Sequence, residues 1–257
     1  MISTMERRAQ IVQIVNTKNS IRVEELAKYC SVSSVTIRND LRYLQQQGLI
    51  VRSHGFALPS NRMMSELSIK ERDHQNIRVK QLLGQAAAKL INDGDSVILD
   101  SGTTTKQIAF NMQYLRDVVV MTNGLDVAME LTGAEGVQVR MPGGILRKNA
   151  LSFSGISAEK NLENYVFDKV FLGVDGYDLK VGITTHNEQE ASLNRLMCDI
   201  STQVIAVTDS SKFGKRSFHV IRDFARIDVL VTDNGIPAEY LQAFQQQGVE
   251  VILVNQE

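Results

Sequence analysis

Cysteine, histidine and long apolar runs are all scarce in this chain, and each scarcity excludes something. The 257 residues hold two cysteines, Cys30 and Cys198, far apart in sequence and without a partner at metal-ligand spacing. Reduced thiols in a cytoplasm fit that pattern better than a disulfide framework. His54, His74, His186 and His219 are scattered, so no metal site and no cofactor is expected. No apolar stretch approaches the roughly 18–20 residues that span a bilayer. The opening MISTMERRAQIVQIV is an amphipathic helix without the apolar core and small-residue cleavage site of a signal peptide. A membrane partner is therefore not expected. Low-complexity runs and internal repeats are missing too. With 43% hydrophobic residues, the chain has room for one large folded domain and a small one.

Net charge is almost absent, at −1, but it is unevenly distributed. Residues 1–60 carry eight Lys/Arg against four Asp/Glu, and residues 61–257 carry 20 against 25. A basic N-terminal module on an acidic body is what a chain needs when one end meets phosphate backbone. Residues 20–58 supply the matching pattern. Val23, Leu26 and Ala27 give a first helix an apolar face, and a turn follows at Cys30-Ser31-Val32. Ser33 suits the N-cap of a second helix, in which Ile37, Leu41 and Leu44 recur on one stripe. Val35, Asn39 and Arg42 lie opposite, flanked by Thr36 and Arg38. In a major groove Arg reads guanine and Asn reads adenine. Gly48 ends the helix, and Leu49–Ser53, His54-Gly55 and Phe56–Leu58 have the pattern of a hairpin wing. Turn, cap, recognition-type helix and wing in that order predict a winged helix-turn-helix over 1–58 that binds double-stranded DNA.

Periodicity stops at Pro59–Ser65, and a linker is expected over 59–75. Glu66–Asn92 is helical and charged in character, with an apolar face at Leu82, Leu83, Ala86, Ala87 and Leu90. Beyond Asp93, short Val/Ile/Leu runs (97–99, 118–121, 137–141, 166–174, 204–207, 229–231, 249–254) alternate with helix-period segments at 104–114, 125–132, 188–202 and 238–247. Runs without alternation mark strands buried on both faces, so a largely parallel α/β sheet is expected over 76–257.

Ligands in such sheets sit where strands end and loops turn into helices. After 97–99 comes Asp100-Ser101-Gly102-Thr103-Thr104-Thr105, whose amides and hydroxyls at a helix start form an anion cradle, or simply a threonine-rich cap. It is neither a Walker A loop nor a GxGxxG fingerprint, so a nucleotide is not indicated. Asn123, Gly143-Gly144 with Arg147, Asp175, Thr185 with Asn187-Glu188, and Lys212 follow later runs in small, polar, glycine-bearing loops. If these converge, they offer phosphate donors on one side and carboxylates or amides for sugar hydroxyls on the other.

The motifs TIRNDLRYL and LIVRSHG, then LDSGTTT, MTNG, MPGG, FLGVDG, GITTHNE and TDSSKFG, resemble the DeoR family of bacterial transcriptional regulators across essentially the whole length. The resemblance implies a winged helix-turn-helix joined to an α/β effector domain of the ribose-phosphate isomerase and CoA-transferase type. It implies a repressor of sugar catabolism, released from operator DNA by a phosphorylated sugar or amino sugar and acting as a homodimer or homotetramer. Carried over, Ser33, Ser34, Thr36, Arg38, Asn39 and Arg42 contact DNA, with Arg52 and His54 from the wing. Ser101–Thr105 hold the phosphate, and Asp100, Asn123, Gly143, Gly144, Arg147, Asp175, Thr185, Asn187, Glu188 and Lys212 line the rest. THNEQEASLNRLMC is most similar to regulators of N-acetylgalactosamine, galactitol or glucitol operons. One departure concerns the wing, where Gly55-Phe56 replaces the family's usual pair of glycines.

Two rivals stay open on the sequence. Asp175, Glu188 and Lys212 beside a phosphate cradle are also what an aldose–ketose isomerase needs for proton transfer. Alternatively, the α/β domain only oligomerises a DNA-binding protein.

Overall fold

The computed structural model describes residues 3–18, 21–47, 49–53, 56–59, 67–223 and 226–255. The chain forms two compact units, Met1–Ser65 and Glu66–Glu257.

In the first unit α1 (Thr4–Lys18) leads through β1 (Ile21–Arg22) into α2 (Val23–Tyr29) and α3 (Ser34–Gln46), followed by β2 (Ile50–Ser53) and β3 (Phe56–Pro59). Ile11, Val15, Leu26, Ile37, Leu41 and Ile50 are buried together as its core. The turn expected at Cys30–Val32 is made by Ser31 at φ 53, which lets the Val32 amide return to the Ala27 carbonyl at 3.1 Å. Both wing strands form, with Ser53 opposite Phe56 as the last pair. A third strand was not legible in the sequence: Ile21 pairs with Ala57, giving an antiparallel sheet in the order β1-β3-β2. Two residues cannot show an alternating pattern. Phe56, which stands where a second glycine is usual, has the Arg22 guanidinium 5.2 Å above its ring.

The second unit opens with α4 (Ile69–His74) and α5 (Ile77–Ala88), then β4 (Ser96–Leu99), α6 (Thr103–Phe110), β5 (Val118–Thr122), α7 (Leu125–Glu130) and β6 (Val137–Arg140). A hairpin of β7 (Ile145–Arg147) and β8 (Ser152–Ser154) precedes α8 (Ile156–Leu162) and β9 (Phe167–Gly173). Then come β10 (Gly176–Asp178), β11 (Gly182–Thr185), α9 (Glu188–Asp199), β12 (Ser201–Val207), β13 (His219–Arg222), β14 (Val229–Asp233), α10 (Ala238–Gln246) and β15 (Glu250–Val254). Seven strands form one sheet in the order β15-β14-β12-β9-β4-β5-β6, parallel at every pairing. Those seven are the apolar runs of the sequence. Alternate residues serve opposite layers. Ile98, Val170, Leu172 and Ala206 pack in one apolar core, and Val97, Leu99, Phe171, Ile205 and Val207 in another. Burial on both faces is why the central strands read as unbroken runs, whereas β6 and β15 at the two edges are only part-buried.

Two features depart from the expected organisation. The 59–75 stretch contains α4, which belongs to the second unit. Its start is fixed by a capping box, in which the Ser68 hydroxyl accepts from the Glu71 amide and the Glu71 carboxylate accepts from the Ser68 amide, and Ile69 is buried. The helical stretch 66–92 is also broken, because Asn76 adopts φ 52 between α4 and α5. Asparagine visits that left-handed region at low cost. Outside the main sheet, β10, β11 and β13 form a separate antiparallel sheet.

Candidate functional site

The exposed side of α3 is built as the sequence implied. The Ser33 hydroxyl accepts from the Thr36 amide at 3.1 Å and lies 2.9 Å from the Thr36 hydroxyl. Cap and first turn are thereby fixed, leaving Thr36 and Ser34 half-buried. Arg38, Asn39 and Arg42 are exposed, beside Val35 at 63% exposure, an apolar group suited to a thymine methyl. Arg38 lies 3.8 Å from the Glu24 carboxylate. The side chain of Arg52, and His54 altogether, lie outside the described residues.

Behind that face is an element the sequence reading missed. Asp40, 2% exposed, accepts from Arg7 Nε at 2.7 Å on one oxygen and from Arg8 Nε at 2.8 Å on the other. Two of the eight N-terminal cations therefore hold α1 against α3, and Arg8 also lies 3.8 Å over the Tyr43 ring.

In the second unit, sheet order fixes where a ligand fits. The chain adds β5 and β6 on one side of β4, then crosses to place β9, β12, β14 and β15 on the other. The carboxyl ends of β4 and β9 are thus the point where strand order reverses and a crevice opens. A cleft of about 710 Å³, counting its open mouth, lies there. Asp100–Thr104 line it from the end of β4, Gly173–Asp175 from β9, Asp209, Ser211 and Lys212 from beyond β12, Arg72 from α4, Asn76 from the turn between α4 and α5, and Lys80 from α5.

Its polar network is specific. The Asp175 carboxylate accepts from Thr185 Oγ1 at 2.9 Å and from Arg72 Nη1 at 3.1 Å. Asp209 accepts from Asn76 Nδ2 and from the Ser211 amide, both at 3.0 Å. Glu190 is buried, accepts from Ser152 Oγ at 2.6 Å and pairs with Arg147. Lys80 is buried too, and the loss of solvation brings its ammonium down to about 8.

Asp100 is 4% exposed and accepts from the Ser101 amide at 2.8 Å, from Asn194 Nδ2 at 3.2 Å and from the Gly173 amide at 3.3 Å. Burial first, and the Glu190 charge second, push its carboxyl up to about 8. Its ordinary value is 3.8, so between about pH 4 and pH 8 the native state holds a proton that the unfolded chain releases. Stability from this group is complete at acid pH and is lost as pH rises through that window. Thermal denaturation of wild type and Asp100→Asn from pH 5 to pH 8 checks this. The wild-type advantage should shrink as pH rises, and parallel curves would show that Asp100 does not titrate there.

Of the residues named from sequence, the cleft gathers Asp100, Ser101, Gly102, Thr103, Thr104, Asp175, Thr185 and Lys212. Four stand behind it. Thr105 Oγ1 donates to the Gly102 carbonyl at 2.9 Å, and Asn123 Oδ1 accepts from the Ser101 amide at 2.8 Å, so both shape the cradle. Arg147 acts through Glu190, and Asn187 caps α9 by accepting from the Glu190 amide at 3.1 Å. Glu188, Gly143 and Gly144 are not in the lining. Glu188 is exposed, because Glu188 and Glu190 sit roughly 200° apart around a helix and only one can face inward. Gly144, at φ 103, instead lets the chain pass so close to Ser154 that a Cβ would lie 2.6 Å from its carbonyl oxygen.

Arg72, Asn76, Lys80, Glu190, Asn194 and Asp209 also line the cleft and were not singled out. The i, i+4 spacing of Glu190 and Asn194 on one helix was available as a signal. Arg72 offered none, since it falls in the expected linker. Among the described residues no group of three or more His, Cys, Asp or Glu is arranged to hold a metal ion, and no helix is long and apolar enough to cross a membrane.

Comparison with known proteins follows the same division. The family described as DeoR-like helix-turn-helix domain matches residues 7–61, and the DeoR C terminal sensor domain matches residues 75–234. A protein of Escherichia coli O157:H7 named for transcriptional repression of the aga operon is 49% identical over 255 residues, 98% of this chain and 95% of that one. The HTH-type transcriptional repressor GlcR of Bacillus subtilis strain 168 is 32% identical over 252 residues, 98% and 97% of the two chains. Among solved structures, ribose 5-phosphate isomerase A from Methanocaldococcus jannaschii matches with a TM-score of 0.41 at 16% identity, over 55% of this chain and 56% of that one. The two matched domains and the near full-length relatives make this chain a member of the DeoR family of transcriptional regulators.

Proposed function

We propose that the protein is a repressor of a sugar or amino-sugar catabolic operon, that α3 reads its operator, and that a phosphorylated sugar in the cleft controls DNA binding. One observation carries the effector assignment: a single cleft is lined both by groups that suit a phosphate and by groups that suit sugar hydroxyls. Arg72, Lys80 and Lys212 accompany the Ser101–Thr104 cradle, while Asp175, Glu190 and Asn194 offer acceptors and an amide. A phosphate fits the first set, since cations and helix-start amides both favour an oxyanion. Sugar hydroxyls fit the second. The repressor names of the two relatives, one of them tied to the aga operon, support the repressor part of this reading. A homodimer or homotetramer presents paired recognition helices to operator half-sites. The protein works in the cytoplasm and binds the sugar phosphate without turning it over.

The test is operator binding by the purified protein, using its own upstream DNA and a panel of hexose and amino-hexose 6-phosphates. One member should shift operator affinity, and each tenfold change requires roughly 1.4 kcal/mol of coupling. Glu190→Gln should weaken that response without abolishing effector-free DNA binding. Turnover of a panel sugar with no specific DNA binding would replace the repressor assignment with an isomerase-type enzyme.

A further inference from the structure

The short helix α4 is tied to the cleft along its length. Arg72 Nη1 donates to Asp175 Oδ1 at 3.1 Å, at the end of β9. The Arg72 carbonyl accepts from Lys80 Nζ at 2.5 Å, and Lys80 itself lines the cleft. Asp73 lies 3.8 Å from Lys106, on the helix that follows the phosphate cradle. At the other end the Ile69 amide donates to the Asn149 carbonyl at 2.8 Å. Its place in the chain makes these ties consequential. Only nine residues, 60–68, separate Pro59, the last of β3, from Ile69. The first helix of the second unit thus supplies Arg72 to the wall of the cleft.

Arg72 is the pivot of this arrangement. Its guanidinium is 17% exposed and pairs with Asp175 through Nη1, while Nε is buried and without a partner among the described residues. A guanidinium offers a planar fork of donors that matches phosphate oxygens two at a time. An anion on the cradle attracts that fork from one side and the Lys80 ammonium, which holds the Arg72 carbonyl, from the other. Asp175 also accepts from Thr185 Oγ1 at 2.9 Å, so its carboxylate keeps a partner if Arg72 turns toward an anion.

We propose that Arg72 binds the phosphate of the effector and passes occupancy to the DNA-binding unit by repositioning α4 along the chain. This rests on the cleft being the effector site. It assigns to residues 69–74 the two-state element that allosteric control requires, since a ligand shifts an equilibrium only by its unequal contacts with the two states.

Arg72→Gln and Arg72→Lys decide the matter, with operator affinity measured with and without each sugar phosphate of the panel and saturation checked by thermal shift. For wild type the active sugar should change operator affinity by about tenfold or more. Arg72→Gln should bind operator normally in its absence, yet respond by less than about threefold at saturation. Arg72→Lys should recover part of the response. Hydrogen exchange supplies a second reading, since the same sugar should alter protection of the 69–74 amides in wild type and leave them unchanged in Arg72→Gln. An undiminished response in Arg72→Gln overturns the proposal, as does operator binding already lost without sugar, which would make Arg72 a structural clasp. If no panel member changes wild-type affinity, the effector assignment itself fails, and wild type alone reveals that.

Discussion

Alanine at both Asn39 and Arg42 is expected to lower specific operator affinity by two to four orders of magnitude, at roughly 1–3 kcal/mol per base-reading side chain. The fold should be unaffected. Both residues are exposed on the face of α3 opposite Ile37, Leu41 and Leu44, which carry its packing. Binding to unrelated DNA should fall much less, because that term comes from cations spread over the phosphate backbone. Gel-shift or fluorescence titration against operator and scrambled duplex reads both at once. Equal losses on the two duplexes would mean that these side chains only meet phosphate, and the base-reading role would pass to another element.

The second large effect lies behind that face. Asp40→Ala should destabilise the DNA-binding unit by about 3–5 kcal/mol, the usual cost of removing one partner from a buried ion pair. Asp40 is buried and each of its carboxylate oxygens is matched by one arginine Nε. Alanine would leave Arg7, 13% exposed at its side chain, without its counter-charge. A small unit with a modest core has little stability in reserve. Operator binding should therefore be lost while the second unit keeps its own thermal transition. Urea denaturation followed by tyrosine fluorescence and by circular dichroism separates the two. A control distinguishes charge from volume: Arg7→Met combined with Asp40→Leu should recover much of the loss, since apolar groups of similar size often replace a buried pair at little cost. An Asp40→Ala protein with wild-type stability and operator affinity would show that the two arginines contribute nothing there.

The difference between these two predictions tracks what the sequence could disclose. Asn39 and Arg42 stand out because α3 is one continuous element, and the period of Ile37, Leu41 and Leu44 says which face is left over. Asp40 sits on that same helix and was passed over. Its partners lie more than thirty residues earlier, on α1. A local pattern shows that a charge interrupts an apolar stripe, and not that another helix neutralises it.

The cleft at the carboxyl ends of β4 and β9 repeats the lesson on a larger scale. The SGTTT cradle and Asp175 were legible because they follow the apolar runs of β4 and β9, whose carboxyl ends meet at the cleft, whereas Thr185 closes β11 of the antiparallel sheet and Lys212 lies five residues past β12. Glu190 was missed in favour of Glu188 because rotation about α9 is settled only when Ala191, Leu193 and Met197 pack into the core. Arg72 and Lys80 were missed because their stretch has the composition of a connector.

By itself, then, the sequence determined the local elements of this protein: the helix-turn-helix with its cap and wing, the seven strands of the parallel sheet, and the polar loops that follow them. Each of those is specified by residues within one turn or one strand of each other. The order β15-β14-β12-β9-β4-β5-β6 was decided only by the tertiary structure. Strands buried on both faces carry no alternation to mark a side, and crossover connections allow many neighbours. That order opens the crevice between β4 and β9, and it brings residues 72, 100, 175, 190 and 212 within reach of one ligand.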